Sequence, residues 1–350
     1  MAKSDAGHVT VPARGSRGRR ILAVAVSGYV AAVLAVWALL HFYADVWWPA
    51  TLVLFGPRWM CALPLAILVP LAALRHRRLL VPLAIAAVGI VFPILDYRLA
   101  LPGRAAAAPS DPTATPPRHV RLMTYNIGGD PNRAAGLDRI LAEVAPDILA
   151  IQECTGTDIV AAIPRGELYI VADGDVCLLS RSRIDRAGFQ DPASITATGG
   201  TGAIVRYTVH LPAGDVQIVN LHLATVREGL AAVMHERLRG VPALKENIAI
   251  RRTISAMARA FVDATPQPFL VAGDFNLPTD SAIYRDHWAS FTSAFDAAGA
   301  GFGATKETRW FGVRIDHILF GPGWTCERAF IGPHLTGDHR PVVADLTWSG

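Results

Sequence analysis

The sequence predicts a mixed-sheet α/β domain that follows three membrane-spanning helices. Three observations support this prediction. Long uncharged apolar runs are confined to the first 97 residues, and an Ala/Pro-rich segment follows them. From about residue 120, short apolar strands alternate with helical patterns and an antiparallel hairpin. Strands and helices mixed in this way favour a layered α/β domain.

The first apolar run, residues 21–42, contains no charged side chain and is long enough to cross a bilayer at about 1.5 Å per residue. Two shorter runs follow and contain prolines, which neighbouring membrane helices tolerate. We predict spans at about 21–42, 52–74 and 79–96. The alternative is a cleaved signal peptide followed by buried core helices. The first run is longer than the apolar part of a usual signal peptide, and no small-residue cleavage site follows it.

Basic clusters predict the orientation of these spans. One cluster, "RGSRGRR", precedes the first span, and a second, "RHRR", lies between the second and third. Positively charged loops stay on the cytoplasmic side, so residues 1–20 form a basic cytoplasmic N-terminus. Three crossings then place everything after Tyr97 outside the cell. Trp47 and Trp48 lie where an interfacial aromatic belt is expected. The protein is therefore predicted to be a multi-pass plasma-membrane protein with an external domain.

The predicted linker, residues 98–119, is Ala/Pro-rich and separates the spans from a soluble domain over residues 120–350. The net charge divides near the same point, because residues 1–118 carry +8 and residues 119–350 carry −4. The external domain therefore has no broad basic field for non-specific binding of nucleic acid. A local cationic patch remains compatible with this charge.

The four cysteines do not form a recognisable framework. Cys61 falls in a span, and Cys154, Cys177 and Cys326 form an odd set without CxxC spacing. An extracytoplasmic location permits a disulfide, but the spacing does not assign one. We expect buried free thiols, because cysteine is among the most frequently buried residues.

Elements of the soluble domain follow one another in a consistent order. Residues 120–128 and 147–153 are predicted strands, and the segment between them has helical spacing of its apolar residues. Further on, a "PAGD" turn joins two alternating strands into a hairpin. An amphipathic helix over 245–264 leads into the strand of "FLVAGDFN", and two strands, 314–320 and 340–348, complete the set.

Polar side chains at or near the ends of these strands are the main functional signal. They are Asn126, Glu153, His222, Asp274, Asn276, Asp316, Asp338 and His339. A single polar residue in such a place is usually satisfied by a structural hydrogen bond. Eight acids, amides and imidazoles are costly to bury unless they satisfy one another. Their oxygen-rich chemistry suits Mg²⁺ or Mn²⁺, whereas Zn²⁺ favours nitrogen and sulfur ligands.

Six motifs, "TYNIG", "IQE", "NLHL", "GDFN", "RIDHI" and "GDHRPV", occur in this order across essentially the whole soluble domain. Together they resemble the endonuclease/exonuclease/phosphatase superfamily of Mg²⁺-dependent phosphoesterases. That resemblance implies a four-layer α/β/β/α sandwich of two mixed sheets, with the site at the strand ends between the sheets. It also implies an enzyme that hydrolyses phosphate ester or phosphoanhydride bonds.

The resemblance assigns three residues to the metal. Glu153 is the expected principal ligand of Mg²⁺ or Mn²⁺, Asn126 lies beside it, and Asp338 contributes to the metal region. A metal at this place helps to neutralise the phosphoryl oxygens.

Five further residues receive catalytic roles from the resemblance. Asp274 orients or deprotonates the attacking water, and Asn276 holds a phosphate oxygen or the nucleophile. His339 contacts the phosphoryl group and is held in its tautomer by Asp316. His222 occupies the place of a second imidazole that acts on the leaving group in several members of the superfamily.

Other polar and aromatic residues near these motifs are predicted to be structural. In a strand, His317 points to the face opposite Asp316, which predicts a packed or surface histidine. Arg251 and Arg252 are within a predicted helix, and a solvated helix face is at least as good an interpretation as phosphate binding. For Trp310 and Phe311 the alternatives are lining the mouth of the site and aromatic packing, and packing is the default expectation.

Substrate class is left open by these residues, since loops select the substrate in this superfamily. Three N-terminal spans followed by such a domain resemble the VanJ-type membrane phosphatases linked to teicoplanin resistance. The leading hypothesis is therefore hydrolysis of a lipid-linked phosphate or diphosphate at the outer face of the membrane. The alternatives are an extracytoplasmic nuclease, a phospholipase- or sphingomyelinase-like phosphodiesterase, and an inactive scaffold domain. A nuclease would need nucleic acid as its partner, whereas a lipid phosphatase would need only the bilayer and its lipid-linked substrate.

Overall fold

The computed structural model describes residues 14–99, 118–164, 166 and 168–349. Most of the predicted cytoplasmic N-terminus and most of the predicted linker lie outside these residues. The chain forms two compact units. The helical unit comprises Met1–Ala38 and Arg58–Asp96, and the sandwich unit comprises Leu39–Pro57 and Tyr97–Gly350.

The first four α-helices are α1 (Arg14–Tyr43), α2 (Trp48–Leu54), α3 (Leu65–Arg75) and α4 (Leu80–Gly89). Short 3₁₀ helices at Arg58–Ala62 and Arg77–Leu79 and a π-helix at Ile90–Ile94 extend the later ones. Three stretches are long and apolar enough to cross a membrane, as predicted: Arg17–Tyr43, Arg58–Arg75 and Arg77–Ile94. The second begins at Arg58 and not near residue 52, because the chain turns at Gly56 and Pro57 after α2.

Fourteen strands form in the described part of the sandwich unit. In chain order they are β1 (Arg118–Asn126), β2 (Ile148–Gln152), β3 (Tyr169–Asp173), β4 (Val176–Ser180), β5 (Ile184–Phe189), β6 (Ala203–Leu211), β7 (Gly214–His222), β8 (Phe269–Asp274), β9 (Thr292–Ser293), β10 (Lys306–Glu307), β11 (Gly312–Val313), β12 (Asp316–Phe320), β13 (Trp324–Ile331) and β14 (Val342–Trp348). One six-stranded sheet has the order β13-β14-β1-β2-β4-β3, and the other has the order β5-β6-β7-β8-β12-β9. Both sheets are mixed, because each contains one parallel pair among antiparallel neighbours.

Helices cover the outer faces of the two sheets. They are α5 (Pro131–Ala135), α6 (Leu137–Val144), α7 (Thr157–Ala162), α8 (Pro192–Thr196), α9 (Arg227–Glu236), α10 (Val241–Asp263) and α11 (Ala282–His287). A further helix, α12 (Ala294–Ala298), instead contacts β12 of one sheet and β13 of the other. One apolar cluster lies between the sheets, a second packs α10 against one sheet, and a third packs α6 against the other. The predicted four-layer α/β/β/α sandwich is thereby confirmed.

The parallel pairs bring the predicted polar residues to one edge of the sandwich. In the first sheet β1 runs parallel to β2, with Asn126 opposite Gln152 at their carboxyl ends. In the second sheet β7 runs parallel to β8, with His222 opposite Asp274. The antiparallel β12 begins at Asp316, also opposite Asp274. Strand direction and register therefore gather side chains that are far apart in sequence.

A buried polar bridge joins the two sheets next to that edge. The Gln152 amide donates to Asn220 Oδ1 at 2.7 Å, and the Asn220 amide donates to the Cys177 carbonyl at 2.9 Å. Thr124 Oγ1 accepts a second hydrogen bond from Gln152 at 3.0 Å. Because buried amides are costly unless fully bonded, this bridge fixes the spacing of the sheets immediately before Glu153.

Cys154 and Cys177 form a disulfide with a Cα–Cα distance of 5.9 Å, so the expectation of free thiols was wrong for this pair. The two meet because β2 and β4 are antiparallel neighbours, with Ile151 opposite Cys177. Just beyond β2 the chain contacts the turn that joins β3 to β4. There the Cys154 N–H donates to the Asp175 carbonyl at 3.1 Å. Cys326 is a half-buried free thiol.

Replacing both disulfide cysteines by serine is expected to destabilise the sandwich. The crosslink spans a sequence separation of 23 residues, which corresponds to about 3 kcal/mol of lost unfolded-state entropy. The midpoint of thermal unfolding, measured on the full-length protein, should fall by roughly 5–10 °C. Cys326→Ser is the matched control and should leave the midpoint near its original value. Equal midpoints for the double variant and the control would contradict the assignment.

Candidate active site

The strand β8 reaches the site only because residue 273 is glycine. Its backbone has a φ of +150°, and an added Cβ would lie 1.9 Å from the Leu221 carbonyl oxygen. Glycine therefore allows β8 to lie close against β7 at the point where both strands end. The following residue, Asp274, is carried to the centre of the site by this close approach.

The turn after β8 holds Asn276 in a left-handed conformation, with a φ of 53°. Its N–H donates to Asp274 Oδ1 at 2.8 Å, and its side-chain amide donates to the Leu223 carbonyl at 2.8 Å. Glu153, immediately after β2, also has a positive φ of 55°. Non-glycine residues in this region are strained and persist where surrounding contacts hold them, as is common at functional sites.

The Asn126 amide links the two sheets at the centre of the site. Its Nδ2 donates to Glu153 Oε1 and to Asp274 Oδ2, both at 3.0 Å. Its Oδ1 accepts from the Gly128 N–H at 2.8 Å, which fixes the orientation of the amide. Asp274 is only 1% exposed. Burial, and next the nearby charge of Asp316, raise the pKa of Asp274 above its usual range.

His339 and Asp316 form the predicted carboxylate–imidazole pair. His339 Nδ1–H donates to Asp316 Oδ2 at 3.1 Å, and His339 Nε2 lies 3.8 Å from Asp274 Oδ2. Burial alone would lower the pKa of His339, but the charge of Asp316 and the hydrogen bond to it outweigh burial and raise that pKa. The imidazole is thus held in one tautomer with Nε2 directed toward Asp274.

His222 lies on the opposite side of Asp274, with its Nε2 3.8 Å from Asp274 Oδ2. Its Nδ1 is hydrogen-bonded to Asp175, a residue that the sequence reasoning missed. Burial would lower the pKa of His222, but the bond to Asp175 and the charges of Asp274, Asp175 and Glu153 raise it to about 9. The only sequence signal for Asp175 was its place in the turn "DGD" between β3 and β4. At neutral pH this imidazole is therefore protonated and suited to donate a proton.

Lys306 is the second residue that sequence reasoning missed. Its Nζ lies 3.0 Å from His339 Nε2 and 2.5 Å from Asp338 Oδ2. Burial opposes ionisation of Asp338, but the hydrogen bond and charge of Lys306 lower the pKa of that carboxyl group. Lys306 is brought in by the short strand β10, which bridges to His339. No motif surrounds it, so only the fold identifies this cation at the site.

Asp338 differs in environment from the other two residues assigned to the metal. Its side chain is half exposed and ion-paired with Lys306, whereas Asn126 and Glu153 are directly hydrogen-bonded to each other. The assignment of Asp338 to the metal region stays a prediction. Its observed contact is with the lysine that also reaches His339.

The donor set around the site fits a hard divalent cation. Asp274, Asp316 and His339 present ligand atoms within 4.8 Å of one another, and all three are buried. Asp316 is already bonded to His339 Nδ1, so this carboxylate is better described as the partner of the imidazole. Glu153 provides an oxygen ligand nearby, and oxygen donors are what Mg²⁺ and Mn²⁺ prefer. Asn126 turns its Nδ2 toward Glu153 and Asp274 and its Oδ1 toward the Gly128 N–H, so in this orientation it positions the carboxylates, and its assignment as a metal ligand stays a prediction.

The residues that were predicted to be structural have two different outcomes. His317 is buried, its Nε2–H donates to the Leu277 carbonyl at 2.8 Å, and burial lowers its pKa to about 4, so a packed histidine is confirmed. Arg252 pairs with Asp286 on the outer face of α10. Arg251 does not lie on a solvated face, because it is 2% exposed and hydrogen-bonded inside the sandwich unit. That interpretation of Arg251 was wrong, since its partner comes from a distant segment.

A cavity of about 820 Å³ opens directly from these polar residues. Its lining includes the site residues Glu153, Asp175, His222, Asp274, Asn276, Lys306 and His339. The lining also includes a set of apolar residues, which we call the apolar wall: Phe55, Val226, Leu230, Met234, Phe311, Val313 and Ile315. Phe311 therefore lines the cavity, whereas Trp310 is 68% exposed.

This fold and this set of carboxylates, amides and imidazoles define a hydrolase of phosphoester bonds. The family model described as Endonuclease/Exonuclease/phosphatase family matches residues 123–339, and the chain belongs to this family. Family members are hydrolases acting on phosphoester bonds and generally use divalent metal ions. The predicted enzyme class is thereby confirmed.

The solved structures to which this chain is similar are distant from it in sequence. TDP2 from D. rerio, humanised by 14 mutations, is 18% identical with a TM-score of 0.50, and the match covers 65% of this chain and 98% of that one. The 3′ phosphatase NExo from Neisseria is 20% identical with a TM-score of 0.48, covering 65% and 100%. The mannosyl-6-phosphatase Bt3783 from Bacteroides thetaiotaomicron is 14% identical with a TM-score of 0.43, covering 65% and 99%. No curated protein matches this sequence.

Asp175→Asn is expected to move the alkaline limb of the pH–rate profile to lower pH. Protonated His222 is lost as the pH rises through its pKa of about 9, and removal of the Asp175 charge lowers that pKa. Phosphate release from phenyl phosphate, whose leaving oxygen departs poorly without a proton, should fall at pH 8–9 by up to about 10²-fold, the lower end of the usual contribution of a general acid.

Asp215→Asn is the matched control for this substitution, because Asp215 also pairs with a histidine, His210, on the exposed surface. The control should leave the profile unchanged. An Asp175→Asn variant with the original alkaline limb would show that His222 does not act as the proton donor.

Proposed function

We propose that this protein is a membrane-tethered, divalent-metal-dependent phosphoesterase that hydrolyses a lipid-linked phosphate or diphosphate. The observation that carries the proposal is the cavity that joins the polar site to an apolar wall. A phosphoryl group at the polar site and a hydrocarbon chain along the apolar wall would then lie in one cavity. Apolar pockets with a few convergent polar groups are typical ligand sites.

Each polar side chain has a task in phosphoryl transfer to water. Glu153 would hold Mg²⁺ or Mn²⁺, with Asn126 beside it orienting that carboxylate, and the metal when bound supplies charge neutralisation to the phosphoryl oxygens. Asp274, with its raised pKa, is suited to orient the attacking water and accept its proton. Asn276 would contact a phosphoryl oxygen or that water.

Three basic residues would protonate the leaving group and neutralise the charge of the phosphoryl oxygens. His222, protonated at neutral pH, is suited to donate a proton to the departing oxygen while Asp175 holds its ring. His339 would contact a phosphoryl oxygen while Asp316 holds its Nδ1–H. Lys306 would exchange its contact with His339 for a phosphoryl oxygen. Phosphoryl transfer depends mainly on such positioning and charge stabilisation.

The presence of three long apolar helices supports the proposal that the substrate is a membrane lipid. They are long enough to span a bilayer, which would keep the enzyme next to its lipid. By the positive-inside rule, the basic clusters favour a location outside the cell for the first loop and for the domain that follows the linker. This arrangement resembles that of the VanJ-type membrane phosphatases. The net charge of −4 over residues 119–350 disfavours a nucleic-acid substrate.

The full-length protein in detergent is expected to release phosphate from a prenyl diphosphate in the presence of Mg²⁺. Chelation with EDTA should abolish release, and Mg²⁺ or Mn²⁺ should restore it. Glu153→Gln and His339→Ala should each lower the rate by about 10²–10⁴-fold without changing the thermal unfolding midpoint by more than a few degrees.

His210→Ala removes an imidazole that is paired with surface carboxylates, and serves as the control with unchanged rate. Plasmid nicking measured in parallel separates the proposal from a nuclease. Robust nicking without phosphate release from the prenyl diphosphate would overturn the lipid substrate.

A further inference from the structure

The segment between the first two predicted spans folds into the sandwich unit. Residues 39–57 belong to that unit, and Trp48, Leu52 and Phe55 pack against the apolar cluster that lies under α10. A backbone hydrogen bond joins Ala282 N–H to the Ala44 carbonyl at 3.1 Å. The segment that we call the inter-span segment, residues 44–55, is therefore part of the layer that supports the active site.

Asp45 is the only charged residue of the inter-span segment, and its side chain is buried in this layer. It is 1% exposed and has a left-handed φ of 55°. One carboxylate oxygen accepts from Arg251 Nη1 at 3.0 Å, and the other accepts from Ser281 Oγ at 2.6 Å. Burial of a carboxylate is costly, so these two bonds account for its presence in the interior.

Arg251 connects Asp45 to the active site, because it is hydrogen-bonded to both Asp45 and Asn276. Its Nη2 donates to the carbonyl of Asn276 at 2.9 Å, and its guanidinium group lies 5.3 Å from the ring centroid of Phe55. Asn276 is thus held by three hydrogen bonds. Its N–H is bonded to Asp274, its side-chain amide to the Leu223 carbonyl, and its own carbonyl to Arg251. A residue in a left-handed conformation persists where surrounding contacts hold it, and these three contacts do so here.

The charge balance explains why Asp45 is needed for this contact. A buried guanidinium group without a partner is strongly unfavourable and draws water or leaves the interior. Asp45 supplies the countercharge, so Arg251 remains buried with one arm on Asn276. The neighbouring Arg252 pairs with Asp286 on the exposed side of the same helix and has no such contact.

We propose that Asp45 is a positioning residue of the active site, acting through Arg251 to hold the turn that aims Asp274 and Asn276. The inter-span segment is then a component of the catalytic apparatus and not only a connection between membrane helices. A fragment that begins after the linker would lack Asp45 and leave Arg251 without its countercharge. The proposal requires only the phosphoesterase activity of the family, whichever phosphoester is the substrate.

The test compares two charge-removing pairs on the full-length protein. In the first, Asp45→Leu and Arg251→Met replace the buried ion pair by apolar side chains, which often preserves stability. In the second, Arg252→Met and Asp286→Leu remove the exposed pair on the same helix. Hydrolysis of p-nitrophenyl phosphate is measured for both, together with hydrogen exchange of the peptide covering residues 273–277.

The buried-pair variant is expected to lose about 10–100-fold in kcat with little change in KM, because the substrate still binds while the turn is less well held. Exchange of the 273–277 peptide should become faster. The exposed-pair variant should keep the original kcat and exchange rate. Asp45→Asn, which keeps the shape and the Ser281 contact but removes the charge, should lose about 5–10-fold in kcat.

A buried-pair variant with the original kcat and unchanged exchange would overturn the proposal. If the buried-pair variant does not fold, Asp45→Asn decides the question by the same two measurements. The exchange measurement needs no substrate, so it separates this inference from the proposed lipid substrate. Hydrolysis of p-nitrophenyl phosphate without release from a prenyl diphosphate would reject that substrate and leave the role of Asp45 intact.

Discussion

The buried carboxylate of Asp274 is the constraint on which the rest of the site depends. It lies between two imidazoles, and the Asn126 amide joins it to Glu153 of the other sheet. A carboxylate in such a position is tolerated only if surrounding groups satisfy it. The close approach of β7 and β8 at Gly273 and the bridge between the sheets both serve to keep these partners in place.

Much of the fold and the centre of the site were predictable because their signals are local. Apolar runs that end in Asn126, Glu153, His222 or Asp274 indicate buried strands whose carboxyl ends meet, and the strand register confirms that they do. The pairing of Asp316 with His339 followed from the family motifs and is present. The three helices that are long and apolar enough to cross a membrane were predictable from length and composition, which require no tertiary contact.

Residues whose role depends on distant pairing could not be found in this way. Asp175 and Lys306 lie in a turn and a two-residue strand, and each becomes part of the site only when its sheet edge is assembled. Arg251 has the spacing of a helix residue, but its partner Asp45 is 206 positions away. The Cys154–Cys177 disulfide likewise follows from the β2–β4 pairing and not from any cysteine motif.

The polar site and the apolar wall are proposed to bind the two ends of one substrate molecule. The most direct measurement is kcat/KM for a series of prenyl or alkyl phosphates of increasing chain length. Each methylene that enters the cavity contributes about 0.8 kcal/mol, so kcat/KM should rise several-fold per methylene until the cavity is filled. Leu230→Gln, on the cavity wall, should flatten that rise, whereas Leu238→Gln, outside this cavity, should not. A value independent of chain length in the original protein would contradict the account.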